Sequence, residues 1–251
     1  MPYKFFCDET GTDKKSEWVG VAGYIASLDQ WAEFRKEWQN ELNKANLPFF
    51  HFSDLAKMLD KRHEIEPLVA RCADIASRNT ILGIGVFVNK NAYEKIMPQW
   101  YKNHVKLPEV MCWQDFLHIA FGESEEKAYL EGGNVPVSFV FDHVDPKSNR
   151  EWYCAVGETY SELKLKNNGL GLIGTLSFES KSENTPFAQP LQGVDCLAYR
   201  IRQVFSYSQN LRPKQMDEAI GRNIRMTYYD SDSLEGLVRI VERDKIKILA
   251  I

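Results

Sequence analysis

Asp8 and Glu9 stand side by side where a short apolar and aromatic run, Tyr3-Lys4-Phe5-Phe6-Cys7, ends. Thr10-Gly11 then releases the chain into a turn. A carboxylate at the tip of a buried strand sits on rigid backbone at the edge of the core, a good place for a catalytic group. Two further acids occupy comparable positions. Asp142 ends Val135-Pro-Val-Ser-Phe-Val-Phe, the most strand-like run after the first, and Asp195 lies in an apolar helical stretch near 191–208. Three carboxylates brought together repel one another. Two unit charges ~4 Å apart cost about 4 kcal/mol at an effective dielectric of ~20. A divalent cation reverses that sign, and an all-oxygen donor set suits Mg²⁺ or Mn²⁺. Metal ions so held activate water and stabilise the leaving oxygen of a phosphodiester. Asp8, Asp142 and Asp195 are therefore the candidate metal ligands.

Supporting residues follow from spacing. Asp8 and Glu9 face opposite sides of a regular strand, so Asp8 is the firmer ligand and Glu9 joins as ligand or base only if the strand ends there. Gln192, Asp195 and Tyr199 share one helix face, which puts Gln192 in reach of a ligand or a substrate phosphate. Lys181 follows the fifth expected strand and is a candidate contact for phosphate or a carboxylate. His51, in Leu47-Pro-Phe-Phe-His-Phe, is a candidate ligand or proton shuttle; His143 stands beside Asp142. Asp115 and Glu123 are the candidates for a further acid. Each has an ordinary alternative: strand-end aspartates open turns, helix-start aspartates cap, histidines bond to backbone, and surface lysines are solvated. The joint placement of the acids is what singles them out.

The elements that must position these groups read as strand (3–8), strand (18–26), helix (to about 44), aromatic connector, helix (61–78), and strand (80–88). A helical region (91–130), broken near Pro108, follows. Then come strand (135–142), helix (148–166), strand (172–178), helix (191–208) and a tail with one or two short helices. Ser27 is the expected N-cap of the first helix, and Asp232-x-x-Glu235 looks like a capping box in the tail. Leaving out a helical insert at about 27–78 gives three strands, then alternating helices and strands. That is a mixed α/β layer with an antiparallel start and a parallel finish.

Composition sets the outer limits. The chain has 251 residues, 44% of them apolar and 12% aromatic, enough for a real core. A net charge of -4 means that a nucleic-acid partner needs a local basic surface. Arg200, Arg202, Arg212, Lys214, Arg222 and Arg225, with Tyr207, Tyr228 and Tyr229 nearby, form such a set; a charged surface carrying a homo-oligomer contact fits it equally. No apolar run reaches the roughly 18 residues of a membrane span, and the start has no signal-peptide layout. Five scattered cysteines without a C-x-x-C pair suggest reduced thiols and a cytoplasmic setting.

Several of these residues also carry a resemblance. Asp8-Glu9-Thr10-Gly11 resembles the N-terminal Asp-Glu-Ser-Gly signature of the bacterial and phage family numbered 3800 among domains of unknown function. Phe50-His51-Phe52 resembles its His-bearing segment. Phe178-Glu179-Ser180-Lys181, followed by Leu191-Gln192-Gly193-Val194-Asp195-Cys196-Leu197-Ala198, resembles its C-terminal Ser-Lys and Leu-Gln-x-Ala-Asp-x-x-Ala pattern. The likeness spans about 3–206. Thr10 stands in place of Ser, Val194 in place of Ala, and Gly193 where a larger apolar residue is common. The resemblance implies a ribonuclease-H-like fold and a metal-dependent nuclease. Asp142 fits that layout's strand-four acid, and the acid of its first helix has no counterpart here. The expectation is thus a ribonuclease-H-like domain over 1–208 with a helical insert and a C-terminal helical extension over 209–251. It would carry Mg²⁺- or Mn²⁺-dependent phosphodiester hydrolysis. The alternatives are a non-catalytic nucleic-acid-binding or scaffold protein on the same fold and a hydrolase of small phosphate compounds.

Overall fold

β1 (Tyr3–Thr10) is the strand around which the sheet is laid. The computed structural model describes residues 3–51, 62–130, 137–142, 150–166, 173–181, 185–207 and 223–243. On one side β1 pairs antiparallel with β2 (Trp18–Ser27), which pairs antiparallel with β3 (Leu82–Asn89). On the other side it pairs parallel with β4 (Val137–Asp142), which pairs parallel with β5 (Ile173–Glu179). The strand order is β5-β4-β1-β2-β3-β6. Antiparallel β1–β2–β3 followed by parallel β4 and β5 beyond β1 is the ribonuclease-H-like α/β arrangement that the sequence leads one to expect.

β6 (Ile224–Tyr229) extends this sheet, parallel to β3. Its residues fall where only short helices were expected, and that expectation is corrected. The strand was hard to see because it lies at a sheet edge and its side chains are only partly buried, so no clean apolar alternation marks it. The helix after it, Ser231–Arg243, starts earlier than the Asp232-x-x-Glu235 pattern suggests. Asp230 Oδ1 accepts from the Ser233 amide at 3.0 Å and Ser233 Oγ from the Asp230 amide at 2.8 Å. The expected boundary at 208–209 falls outside the described residues.

The helices, in chain order, are α1 (Leu28–Lys44), α2 (Arg62–Asn79), α3 (Lys90–Ile96), α4 (Gln99–Val105), α5 (Pro108–Leu130), α6 (Arg150–Lys166), α7 (Ala188–Tyr207) and α8 (Ser231–Arg243). Strand parity divides them. Phe5 and Cys7 of β1 and Phe139 and Phe141 of β4 face a core built with α3 to α6 and α8, where Tyr93, Trp113, Phe116 and Trp152 are buried. Phe6 and Val140 face the other core, shared with α1, α2 and α7. Among the described residues, α1 and α2, anticipated as an insert, therefore pack with α7 over one side of the sheet.

Local chemistry explains the elements next to the site. Ser27 and Gln30 cap α1 reciprocally, as the sequence suggested for Ser27. Trp31, Phe34, Trp38 and Leu42 turn one buried stripe inward, and the Trp31 indole donates to the Lys4 carbonyl at 3.0 Å, tying α1 to β1. Leu191, Val194, Leu197, Ile201 and Phe205 do the same for α7, which lies across β1 and β2. Where α7 crosses α1 the residue is Gly193; a Cβ there would sit 2.6 Å from Phe34 Cζ. Close approach of the two helices is the condition for Asp195 to reach the strand tips.

Candidate functional site

Parallel pairing of β1 and β4 carries their tips forward together. Cys7 pairs with Phe141, so Asp8 and Asp142 are the next residues on each strand. Both share the parity of Phe6 and Val140 and point to the side covered by α7. Asp8 is 2% exposed and Asp142 8%. α7 brings in Asp195 from above. The three aspartates named from the sequence thus converge, and they converge on Lys181. Its Nζ lies 2.9 Å from Asp8 Oδ2, 2.9 Å from Asp142 Oδ2 and 3.3 Å from Asp195 Oδ1.

Lys181 is fixed by its backbone as well. Its amide donates to Asp142 Oδ1 at 3.2 Å and its carbonyl accepts from Gln192 Nε2 at 2.9 Å. Gln192 and Asp195, one helical turn apart, therefore hold the same lysine from one face of α7. Gln192 Oε1 accepts from the Trp38 indole at 3.0 Å and the Phe50 amide at 3.2 Å. This carboxamide, 2% exposed, joins α1, the aromatic connector, α7 and the loop after β5. Its contacts are those of a brace for Lys181. His51 follows Phe50 directly and is half-buried.

Glu9 lies on the opposite face. β1 stays paired with β2 to Thr10, so parity is kept and Glu9 faces the side of Trp152. Glu9 Oε2 and the Trp152 indole nitrogen are both buried without a well-formed hydrogen bond among the described residues. Burial raises the Glu9 carboxyl from 4.5 to about 7; Lys181 pulls it down and Asp142 pushes it up. Asp8 is raised well above the ordinary carboxylate range. Burial acts first there, Lys181 opposes it, and Asp142, Glu9 and Asp195 add to it. Burial works against the charge on Lys181, but Asp8, Asp195 and Asp142 outweigh it and hold the ammonium well above the usual lysine value. Within this cluster three aspartates face one ammonium, more acids than a single lysine can pair.

Among the described residues no group of three or more His, Cys, Asp or Glu side chains stands ready to hold a metal ion. The position between the three aspartates is filled by the lysine. The donor chemistry does fit a hard divalent ion: each of the three aspartates offers carboxylate oxygens, and they outnumber the cation among them.

Other candidates lie apart. Asp115 on α5 accepts from the Tyr229 hydroxyl of β6, and burial raises its carboxyl. His143 and the side chain of Glu123 are outside the described residues. So are Arg212, Lys214 and Arg222 of the basic set. Arg202 bonds to Ser16 Oγ at 3.1 Å and lies over the Tyr199 ring at 5.3 Å. Cys7 is fully buried, its thiol pushed up by burial and then by Asp8. Trp152 was not anticipated. Its signal is indirect: an indole early in the helix after β4, on the side to which Glu9 must point.

Among the described residues no helix is long and apolar enough to cross a membrane. No protein-family model matches the chain. No curated protein matches it either. Among solved structures it is similar to the ribonuclease H2 from Pyrococcus horikoshii OT3, at 15% identity and a TM-score of 0.38, over 97% of this chain and 89% of that one.

Proposed function

We propose that this chain is a divalent-metal-dependent phosphodiesterase acting on nucleic acid, of the kind that the family numbered 3800 is expected to contain. What carries the proposal is the convergence of Asp8, Asp142 and Asp195, from segments far apart in sequence, on one ammonium that cannot balance them. Three buried carboxyls around one ammonium can all ionise only at a large cost unless a stronger cation shares them. Asp8, Asp142 and Asp195 would hold Mg²⁺ or Mn²⁺. When bound, the ion supplies Lewis-acid polarisation of the phosphodiester and stabilises the leaving oxygen. Gln192 keeps the Lys181 backbone in place. Because β1 stays paired through Thr10, Glu9 faces away from the aspartates and is not among the groups that would hold the ion.

The test is incubation of the protein with labelled single- and double-stranded DNA and RNA and Mn²⁺, beside Asp8→Asn and Asp195→Asn. Cleavage by the parent protein that both variants lose supports the proposal. One observation favours a second reading, a nucleic-acid-binding or scaffold protein on the same fold: the ammonium already fills the centre of the acids. Tight binding without cleavage supports that reading, and phosphate release from nucleotides alone points to a small-molecule hydrolase.

A further inference from the structure

Lys181 presents two parts with different freedoms. Its backbone is held at both ends of the residue, by Asp142 Oδ1 at the amide and by Gln192 Nε2 at the carbonyl. Its ammonium is held separately, by three carboxylates that share it. The backbone bonds do not depend on the ammonium, and its departure would remove one positive charge from the centre of the acids. A lysine is a flexible point charge with three donors, so it fills such a centre without the fixed angles an arginine would impose.

We infer that Lys181 is the exchangeable counter-ion of this site: its ammonium occupies the acid cluster when no metal is bound, and a divalent ion enters by displacing it. This rests on the proposed metal chemistry and adds to it a built-in competitor. Without any cation the three aspartates would repel one another and spread the tips of β1 and β4 from α7. The lysine keeps them folded in place. Because residue 181 stays anchored, the displaced ammonium remains at the rim, where an anionic phosphodiester would meet it. Lys181 is thus a positioning residue for the metal-free site, and it lowers the apparent affinity for metal because the incoming ion must first break its contacts.

Two measurements on the 251-residue chain test this. Acetic anhydride labelling, read by peptide mass spectrometry, is run in EDTA and in MnCl₂, with Lys36, an exposed lysine of α1, as the internal reference. Lys181 should label slowly in EDTA and about tenfold faster with saturating Mn²⁺. Calorimetric titration with MnCl₂ should show Lys181→Met binding about tenfold more tightly than the parent protein. Should the variant not fold in EDTA, labelling of the unaltered protein decides the matter alone. Mn²⁺ that binds without raising Lys181 labelling, or that binds the variant no more tightly, overturns the inference and leaves the metal chemistry standing. No Mn²⁺ binding to either protein overturns both.

Discussion

Gln192→Leu isolates the brace beneath the site from the acids above it. Leucine keeps most of the bulk and removes both polar ends. It strands the Trp38 indole N–H, the Phe50 amide and the Lys181 carbonyl, which the carboxamide joins at 3.0, 3.2 and 2.9 Å. Trp38 and Phe50 are 0% and 1% exposed, so water cannot take over there, whereas the Lys181 carbonyl is only partly buried. A buried donor left unsatisfied costs about 1–3 kcal/mol. Two such donors and one less buried acceptor, less the desolvation that the amide itself no longer suffers, give a loss of about 3 kcal/mol. Equilibrium urea unfolding followed by tryptophan fluorescence measures it. In a Trp38→Phe background one stranded donor is already absent, so the same change should cost about 1 kcal/mol less. A loss under about 1 kcal/mol, or an equal loss in both backgrounds, would refute the claim that this amide ties α1 and the connector to the Lys181 loop.

Two more outcomes are expected. Glu9 holds its proton more tightly folded than unfolded, because burial lifts it from 4.5 to about 7. Its contribution to stability is complete below the unfolded value and is lost as pH rises through the folded one. Glu9→Gln has no such loss, so in EDTA its unfolding free energy should gain on the parent's by up to about 3 kcal/mol between about pH 5 and pH 8; parallel pH profiles would contradict the burial argument. Gly193→Ala sets the ~1 kcal/mol helix preference of alanine against a Cβ placed 2.6 Å from Phe34 Cζ. Phe34 is fully buried and stacked on Trp38 at 5.2 Å, so it cannot yield, and overpacking should win with a net loss of about 1–3 kcal/mol, read by thermal melting.

The acids were legible because they end or interrupt apolar runs. Asp8 and Asp142 close strand-like segments, and Asp195 breaks an otherwise apolar helix face; parity alone sent Asp8 and Glu9 to opposite sides, as the paired length of β1 requires. The role of Lys181 was legible in part, as a contact for phosphate or a carboxylate. A lysine after a strand looks like solvated charge, and nothing local says that three distant carboxylates will enclose it. Gln192 was read as a substrate contact from its place beside Asp195; its partners, Trp38, Phe50 and Lys181, lie far away in the chain. β6 was missed because edge strands bury little and leave a weak pattern.

The wide spacing of the converging residues governs when the site can exist. Of the four, residue 8 emerges first during synthesis, and its neighbours at 142, 181 and 195 follow only after more than a hundred further residues. Contacts of such long sequence separation close slowly. A partly made chain can pair β1 with β2 and β2 with β3, yet it has neither the lysine nor the helix that finishes the acid cluster. Until residue 195 has been added, a nascent chain cannot assemble this centre.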